Sequence, residues 1–464
     1  MDICIKKISA DRFTPLVVFK KLNAKALLES AVLDMTKNRY SMILVEEHYR
    51  IVLKDSGVHK IKNGEDKCIN KDRNSFVDVL RRESKRLDVL NKKNIQFPLS
   101  SVIGYMGYET VELFDNVKLK KQKDELKLPD AVFIFGSVFV VFDHYKDELC
   151  ICALSEDFKA DACKKVDAII ARLLDNDFRV YDSSESDYEY NGNFLSGKEE
   201  YISGVLKIKE EIVKGNLLQG VMSRRVKIKC DMPPIEAYAR LRRINPSPYL
   251  FYLDFEEFRL FGASPELMVS YNDGIATIKP IAGTRPRGKD KEEDNNLECE
   301  LLADIKERAE HLMLVDLARN DLGRIACTGS VLPKQTFFVE RFSHVMHIVS
   351  DIEAKVKSGY DAYDVIKASF PAGTVSGAPK IKAIEILSRL EKIKRGPYAG
   401  LVGHMDIDGN FDSCIALRSF VHKDKNYYMQ AGAGIVYDSV PEREFEETVN
   451  KLKALALIFG GSSK

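Results

Sequence analysis

The chain has 464 residues, 45% hydrophobic and 30% charged, enough for one large or two medium cores. Its 71 lysines and arginines balance 70 aspartates and glutamates, and a net charge of +1 offers no basic field for nucleic acid and no acidic tail. Small molecules are the expected partners, with no nucleic acid and no membrane. The longest apolar run, AVFIFGSVFVVF at 131–142, has strand length and β-branched composition, short of the ~20 residues a membrane helix needs. Nine cysteines without CxxC or histidine-flanked spacing predict a reducing compartment, with neither structural zinc nor disulfides. No apolar leader follows MDICIKKISADRF, so the expected location is cytoplasmic, or organellar after loss of a targeting segment.

In chain order, LNAKALLESAVLD (22–34) predicts helix or turn with Asn23 as a cap, and YSMILVEEHYRIVL (40–53) predicts paired strands. Helical spacing begins at Ser75 in SFVDVLRRESKRLDVL, and Gly104 and Gly107 among aromatics predict close backbone approach. Strands at 131–142 and 148–153 and a helix near 159–174 follow. The polar, acidic stretch VYDSSESDYEYNGN (180–193) predicts a connection, dividing an N-terminal part, 1–190, from a C-terminal part, 191–464, that interleave in one unit. Beyond it come a helix (KEEYISGVLKIKEEIVKGN), a strand (LLQGVMSRRVKIK), a helix from Pro234, a meander of strands from Tyr249, and then alternating helices and strands. Short turns such as DIDGN predict antiparallel sheets in an α+β protein, and no fixed-period repeat is present.

Chemistry concentrates at 430–451, QAGAGIVYDSVPEREFEETVNK. AGAG predicts a sharp turn presenting bare N–H groups to an anion. Pro441 suits the first turn of a helix on which Glu444 and Glu447, three apart, share a face. Such a pair is usually a solvated face, but a second pair, Glu307 and Glu310, sits in ELLADIKERAEHLMLVDLARND (300–321), read as one helix. Two such helices facing each other would make an oxygen-lined Mg²⁺ site.

Five segments in order, PIAGTRPRG (280–288), ERAEHLMLVDLARNDLGR (307–324), FPAGTVSGAPK (370–380), GPYAGLVG (396–403) and AGAGIVYDSVPEREFEET (431–448), resemble the chorismate-utilising enzymes over nearly the whole chain, and most closely their anthranilate-forming branch. The resemblance implies two large, mainly antiparallel sheets packed as a sandwich with helices outside, the substrate chorismate, and Mg²⁺. Family members that add water carry a lysine base where this chain has Gln219, and a neutral amide cannot take a proton from water. Aminodeoxychorismate synthases carry lysine in PIKGT, where this chain has Ala282, so ammonia is expected to attack chorismate directly. Both absences favour anthranilate and pyruvate as products, the first step towards tryptophan. The alternatives are aminodeoxychorismate formation, and a non-catalytic subunit that binds chorismate or tryptophan for regulation.

By resemblance, the ring carboxylate meets Mg²⁺ held by Glu310 and Glu447, with Glu307 and Glu444 acting directly or through water. The other carboxylate is expected at Arg418, Tyr398 and the N–H groups of Gly432 and Gly434. Glu266 of ASPEL is the expected general acid for the C4 hydroxyl, and His347 the base or orienting group, with His344 as its decoy. Thr374, Gly283 and Thr284 are expected against the substrate.

None of the cysteine contexts forms the G-x-C-x-G elbow of a glutamine amidotransferase, so by resemblance a separate glutaminase subunit supplies ammonia. LLES (27–30) and NPSPYLFY (245–252) resemble the halves of a tryptophan feedback site, with Glu29 and Ser30 taking the amine and Pro246, Ser247 and Tyr249 lining the ring. The family's lysine about ten residues past the serine is missing, since Tyr40 and Ser41 fall there and Arg39 is nearest.

Overall fold

The computed structural model describes residues 2–31, 39–87, 95, 97–156, 159–175, 188–342 and 345–460. The first part runs β1 (Asp2–Ser9), α1 (Pro15–Leu22), β2 (Ala26–Glu29), β3 (Tyr40–Lys54), β4 (Gly57–Lys62), β5 (Glu65–Asn70), α2 (Phe76–Arg86), β6 (Ser100–Met106), β7 (Ala131–Asp143), β8 (Glu148–Ser155) and α3 (Lys159–Leu174). Next come β9 (Asn191–Gly192), α4 (Lys198–Val213), β10 (Gln219–Lys229), α5 (Pro234–Ile244), β11 (Tyr249–Asp254), β12 (Arg259–Ser264), β13 (Leu267–Asn272), β14 (Ile275–Ile278), β15 (Ile281–Pro286), α6 (Lys291–Ala303) and α7 (Ile305–Gly323). The chain ends with β16 (Leu332–Arg341), β17 (Val345–Lys355), α8 (Ala362–Ser369), β18 (Gly377–Ala378), α9 (Lys380–Leu390), β19 (Leu401–Asp406), β20 (Phe411–Ile415), β21 (Ser419–Lys423), β22 (Asn426–Ile435) and α10 (Pro441–Ala456).

All named strands join one antiparallel network, an α+β fold with two wings sharing the long strands β3 and β7. One wing runs through β8, β7, β3, β2, β11, β12, β21, β22 and β10, the other through β6, β19, β20, β13, β14 and β17. Alternation along each strand sends one set of side chains between the wings, where Leu44, Tyr105, Ile134, Phe251 and Val402 form a shared core. The outer faces bury α1, α3, α4, α5, α9 and α10 on one side and α2, α7 and α8 on the other. Strands from either side of residue 190 pair directly, as β2 with β11 and β6 with β19. Most of the predicted connection, 176–187, lies outside the described residues.

Several local expectations are corrected. Ala26–Glu29 is a strand, because its apolar side chains pair into the sheet against β3 and β11, and Asn23 caps the C-terminus of α1 with φ 49°. Residues 40–54 form one irregular strand, not a pair. The helix expected over 300–321 breaks at Asp304, whose side chain accepts the N–H groups of Lys306 and Glu307 and so starts α7 afresh. A disulfide joins Cys4 of β1 to Cys163 of α3, a contact that local spacing could not show across 159 residues. The close approach predicted at Gly104 is present: a Cβ there would lie 2.0 Å from the carbonyl oxygen of Val132.

One buried ion pair ties the site-bearing elements together. Arg395, 1% exposed, donates through Nε and Nη2 to Glu391 at 2.8 and 2.7 Å, through Nη1 to the Val375 carbonyl at 2.8 Å and through Nη2 to the Val221 carbonyl at 2.6 Å. Glu391 also accepts from the backbone N–H and hydroxyl of Ser223, both at 2.8 Å. Arg395→Met strands that carboxylate without its counter-charge and is expected to cost about 3–5 kcal/mol in urea unfolding, and a loss below 1 kcal/mol would show that the pair is not structural.

Candidate active site

β10 and β22 set the floor of the site, with Val221 opposite Gly434 and Ser223 opposite Gly432. Val221 N–H goes to the Ser376 carbonyl at 3.0 Å and Ser223 N–H to Glu391, so both turn their backbone groups away from β22. By the alternation of an antiparallel pair, Gly432 and Gly434 turn theirs to the far edge of β22. The sharp turn expected for AGAG is therefore an extended strand, and its N–H groups are presented by an edge. Glycine serves close approach here: a Cβ on Gly432 would lie 3.1 Å from Tyr398 Oη, and one on Gly434 would lie 2.7 Å from Gln219 Nε2.

Two acidic helices face this floor. Gln219 Nε2 donates to Glu310 Oε1 at 2.9 Å, and a Cβ on Gly283 would lie 3.3 Å from Glu307 Oε2, so both α7 carboxylates look towards β10 and β15. Arg285 stands 3.6 Å from Glu307. On α10, Lys451 Nζ binds Glu447 Oε1 at 2.6 Å and the Gly432 carbonyl at 3.0 Å. Lys306 of α7 acts electrostatically on Glu444 of α10, which places the two helices within each other's field. Burial, then the charge of Glu310, raises the pKa of Glu307; burial, then the charge of Glu447 against a hydrogen bond from Ser439, raises that of Glu444. Among the described residues no three histidine, cysteine, aspartate or glutamate side chains converge as a ready metal cage. The acids stand as two like-charge pairs on two helices, hard oxygen donors whose mutual repulsion a divalent cation would relieve.

Glu266, between β12 and β13, is 8% exposed, and its carbonyl accepts Ile415 N–H at 3.0 Å. Burial pushes its carboxyl up to about 8, while the hydroxyl of Thr374 and the charge of Arg418 pull the other way. Thr374 Oγ1 is itself buried and completes no hydrogen bond of ordinary geometry. Both line a cleft of about 340 Å³, partly open to solvent, whose far wall is α7. Arg418 lies in the link between β20 and β21, not within a strand, with φ 46° and Nη1 at 3.3 Å from Asn245 Oδ1.

His347 on β17 places Nδ1 2.7 Å from the Gly283 carbonyl and 3.2 Å from Thr284 Oγ1. A carbonyl only accepts, so Nδ1 carries the proton and Nε2 keeps its lone pair. Burial lowers the imidazole pKa, the Gly283 carbonyl raises it and Arg418 lowers it further, which leaves the ring neutral at pH 7. The charge of Arg418 acts on both Glu266 and His347, so acid and base share one electrostatic neighbourhood. His344 lies outside the described residues. Tyr398 is buried with its hydroxyl against Gly432 N–H, and burial pushes its pKa up to about 12.

A model of the chorismate binding enzymes matches residues 32–457. The chain belongs to the chorismate binding enzyme family. It is 45% identical to a Spirochaeta aurantia protein named anthranilate synthase component 1, covering 99% of this chain and 96% of that one. The corresponding Aquifex aeolicus protein is 40% identical, covering 97% and 92%. The crystal structure of anthranilate synthase component I from Streptococcus pneumoniae superposes with a TM-score of 0.81 at 32% identity, covering 97% of this chain and 99% of that one. A menaquinone-specific isochorismate synthase from Escherichia coli, at 18% identity and TM-score 0.73 over 98% and 94%, shares the fold. No described helix is long and apolar enough to cross a membrane.

This member of the chorismate binding family has a second cavity, about 510 Å³, lined by Glu29, Ser30, Tyr40, Tyr249, His404 and Asp412 among others. Pro246 and Ser247 are not in its lining; Ser247 is buried and its carbonyl accepts Ala31 N–H at 3.0 Å, bracing the wall. The Glu29 carboxylate is engaged by Tyr238 at 2.6 Å and Arg242 at 3.2 Å. His404 and Asp412 gave no sequence signal, because β19 and β20 reach this wall only through the sheet topology. Gln219 as a partner of Glu310, Arg395 as the hub and Lys451 as a link between α10 and β22 were also missed, since lysines and arginines in charged helices read as surface.

The raised pKa of Glu266 makes folding pH-dependent. The unfolded chain loses this proton near 4.5 and the native chain near 8, so stability falls as pH rises from the first value to the second. Glu266→Gln is expected to remove that part of the fall between pH 5 and 8 in urea unfolding, and an unchanged slope would show that the native carboxyl is already ionised.

Proposed function

We propose that this chain is the chorismate-converting component of an anthranilate synthase, forming anthranilate and pyruvate from chorismate and ammonia. In this reading a separate glutaminase subunit supplies the ammonia and tryptophan inhibits by feedback. The observation that carries it is Gln219: its amide is committed to Glu310, and Ala282 on β15 opposite Ile348 offers no amine, so neither position holds a base for water or a nucleophile for a covalent adduct. The relatives named anthranilate synthase component 1 support the same reading over almost the full length.

In the first step the ammonia lone pair bonds to C2, the ring double bonds shift, and the C4–O bond breaks. Glu266, protonated at pH 7, gives its proton to the departing hydroxyl, which leaves as water while the nitrogen sheds a proton. In the second step His347 Nε2 takes the C2 hydrogen as a proton as the enolpyruvyl C–O bond breaks; the ring becomes aromatic and pyruvate departs. The Gly283 carbonyl and Thr284 hydroxyl hold the imidazole in the tautomer this needs. Arg418, Tyr398 and the edge N–H groups of Gly432 and Gly434 receive the enolpyruvyl carboxylate, and Thr374 orients the ring beside Glu266.

The paired acids fit Mg²⁺, which takes few carboxylates and keeps several waters: Glu310 and Glu447 would hold it, with Glu307 and Glu444 binding directly or through water. When bound, it draws electron density from the ring and fixes its pose. Residues 1–190 then carry the inhibitor side and 191–464 the catalytic side. Tryptophan would occupy the second cavity, its amine near Ser30 and Glu29 and its ring against Tyr249, with Pro246 and Ser247 shaping the wall from behind.

With chorismate, ammonium and Mg²⁺ the chain is expected to release anthranilate, followed by fluorescence, and pyruvate in equal amounts, while glutamine in place of ammonium yields nothing. A stable amino-chorismate without pyruvate would select the folate-pathway reaction instead. Glu310→Ala and His347→Ala are expected to fold and to lose at least about 10²-fold in turnover; ordinary turnover in either removes that residue from the site. Tryptophan is expected to inhibit, and Ser30→Ala to weaken that inhibition; a flat titration of the parent chain would retire the regulatory part alone.

A further inference from the structure

His311 follows Glu310 directly and Glu307 by one helical turn, and it is fully buried. Its Nε2 lies 2.6 Å from Ser350 Oγ, and Ser350, equally buried, is three residues beyond His347 on β17. Ser350 is fixed in turn: its hydroxyl accepts Phe337 N–H of β16 at 3.1 Å, and its N–H reaches the Pro280 carbonyl at 3.3 Å. The Phe337 ring stands at 4.9 Å, near perpendicular to the imidazole. His311 Nδ1 has no hydrogen-bond partner, so the bond to Ser350 is the ring's polar tether among the described residues.

An imidazole in this position is costly to bury, and a leucine would satisfy the surrounding apolar contacts at less cost. What a leucine cannot supply is direction. The neighbouring contacts of α7, through Leu314, Val315 and Ala318, are apolar and permit the helix to slide or roll by fractions of an ångström, whereas a hydrogen bond weakens steeply with angle. The same strand that receives the tether carries His347, and the same helix that sends it carries Glu307 and Glu310.

We infer that His311 and Ser350 are a positioning pair that registers the α7 carboxylates against β17, and thereby sets the affinity of the site for its divalent cation. The inference rests on reading Glu307 and Glu310 as cation ligands.

The test uses the full chain with Mn²⁺ as probe, counting free ion by electron paramagnetic resonance, together with the Mg²⁺ concentration for half-maximal rate. His311→Phe and Ser350→Ala are expected to weaken Mn²⁺ binding and raise the Mg²⁺ requirement about ten- to hundredfold, the range typical of residues that orient metal ligands. At saturating Mg²⁺ their kcat is expected to recover to within about tenfold of the parent. His311→Gln, which can still direct an N–H at Ser350, is expected to restore most of the affinity, a rescue that a purely space-filling role would not give. If His311→Phe fails to fold, Ser350→Ala decides. Parent-like Mn²⁺ binding in Ser350→Ala, with binding lost in Glu310→Ala, overturns the inference alone. Parent-like binding in Glu310→Ala overturns the ligand reading beneath it.

Discussion

The buried Arg395–Glu391 pair is the contact on which the placement of the site depends. Four pieces of chain that are distant in sequence meet at it: β10 through Val221 and Ser223, the 373–375 turn through Val375, the end of α9 through Glu391, and the 395–398 loop through Arg395 itself. Glu109 adds a second tie by accepting the N–H groups of Arg395 and Gly396 at 2.7 and 3.0 Å. Thr374 and Tyr398 hang directly from this knot, and Gly432 is aligned with it through Ser223. A buried charge network is stable only when nearly every donor and acceptor is met. Here the guanidinium reaches Glu391 and two carbonyls and lies 4.4 Å from the Tyr108 ring centroid.

Burial also sets both proton states on which the proposed reaction relies. The same desolvation that keeps Glu266 protonated keeps His347 unprotonated, because in each case the charged form is the one penalised. The four helix glutamates stand at the wetter side, where two of them per helix crowd like charges. β20 joins this site to the second cavity: Asp412 and Cys414 line that cavity, and Ile415, the next residue, holds the Glu266 carbonyl.

Much of the architecture was legible because it is written in local pattern. The apolar run at 131–142 is a strand buried along its whole length, Pro441 opens α10, and alternation around short turns gives antiparallel pairing. Motif order pointed to Glu266, Thr374, His347 and Thr284, and Arg418 falls in the same neighbourhood. Other features depend on partners distant in sequence. AGAG reads as a turn because glycine pairs usually are, yet here the missing side chains make room for Tyr398 and Gln219. Arg395 sits among lysines and reads as surface, although its counter-ion is only four residues away at a helix end. Asp304 splits a helical pattern by capping, and Cys4 meets Cys163 only through the sheet.

The central claim is that one cleft holds a neutral acid, a neutral base and two acidic helices around a single substrate. A crystal structure of Glu266→Gln with Mg²⁺ and chorismate tests it most directly. The account predicts the cation between Glu310 and Glu447 on the ring carboxylate, residue 266 beside the C4 oxygen, and His347 Nε2 facing C2. A cation bound elsewhere, or chorismate seated away from residue 266 and His347, would contradict it.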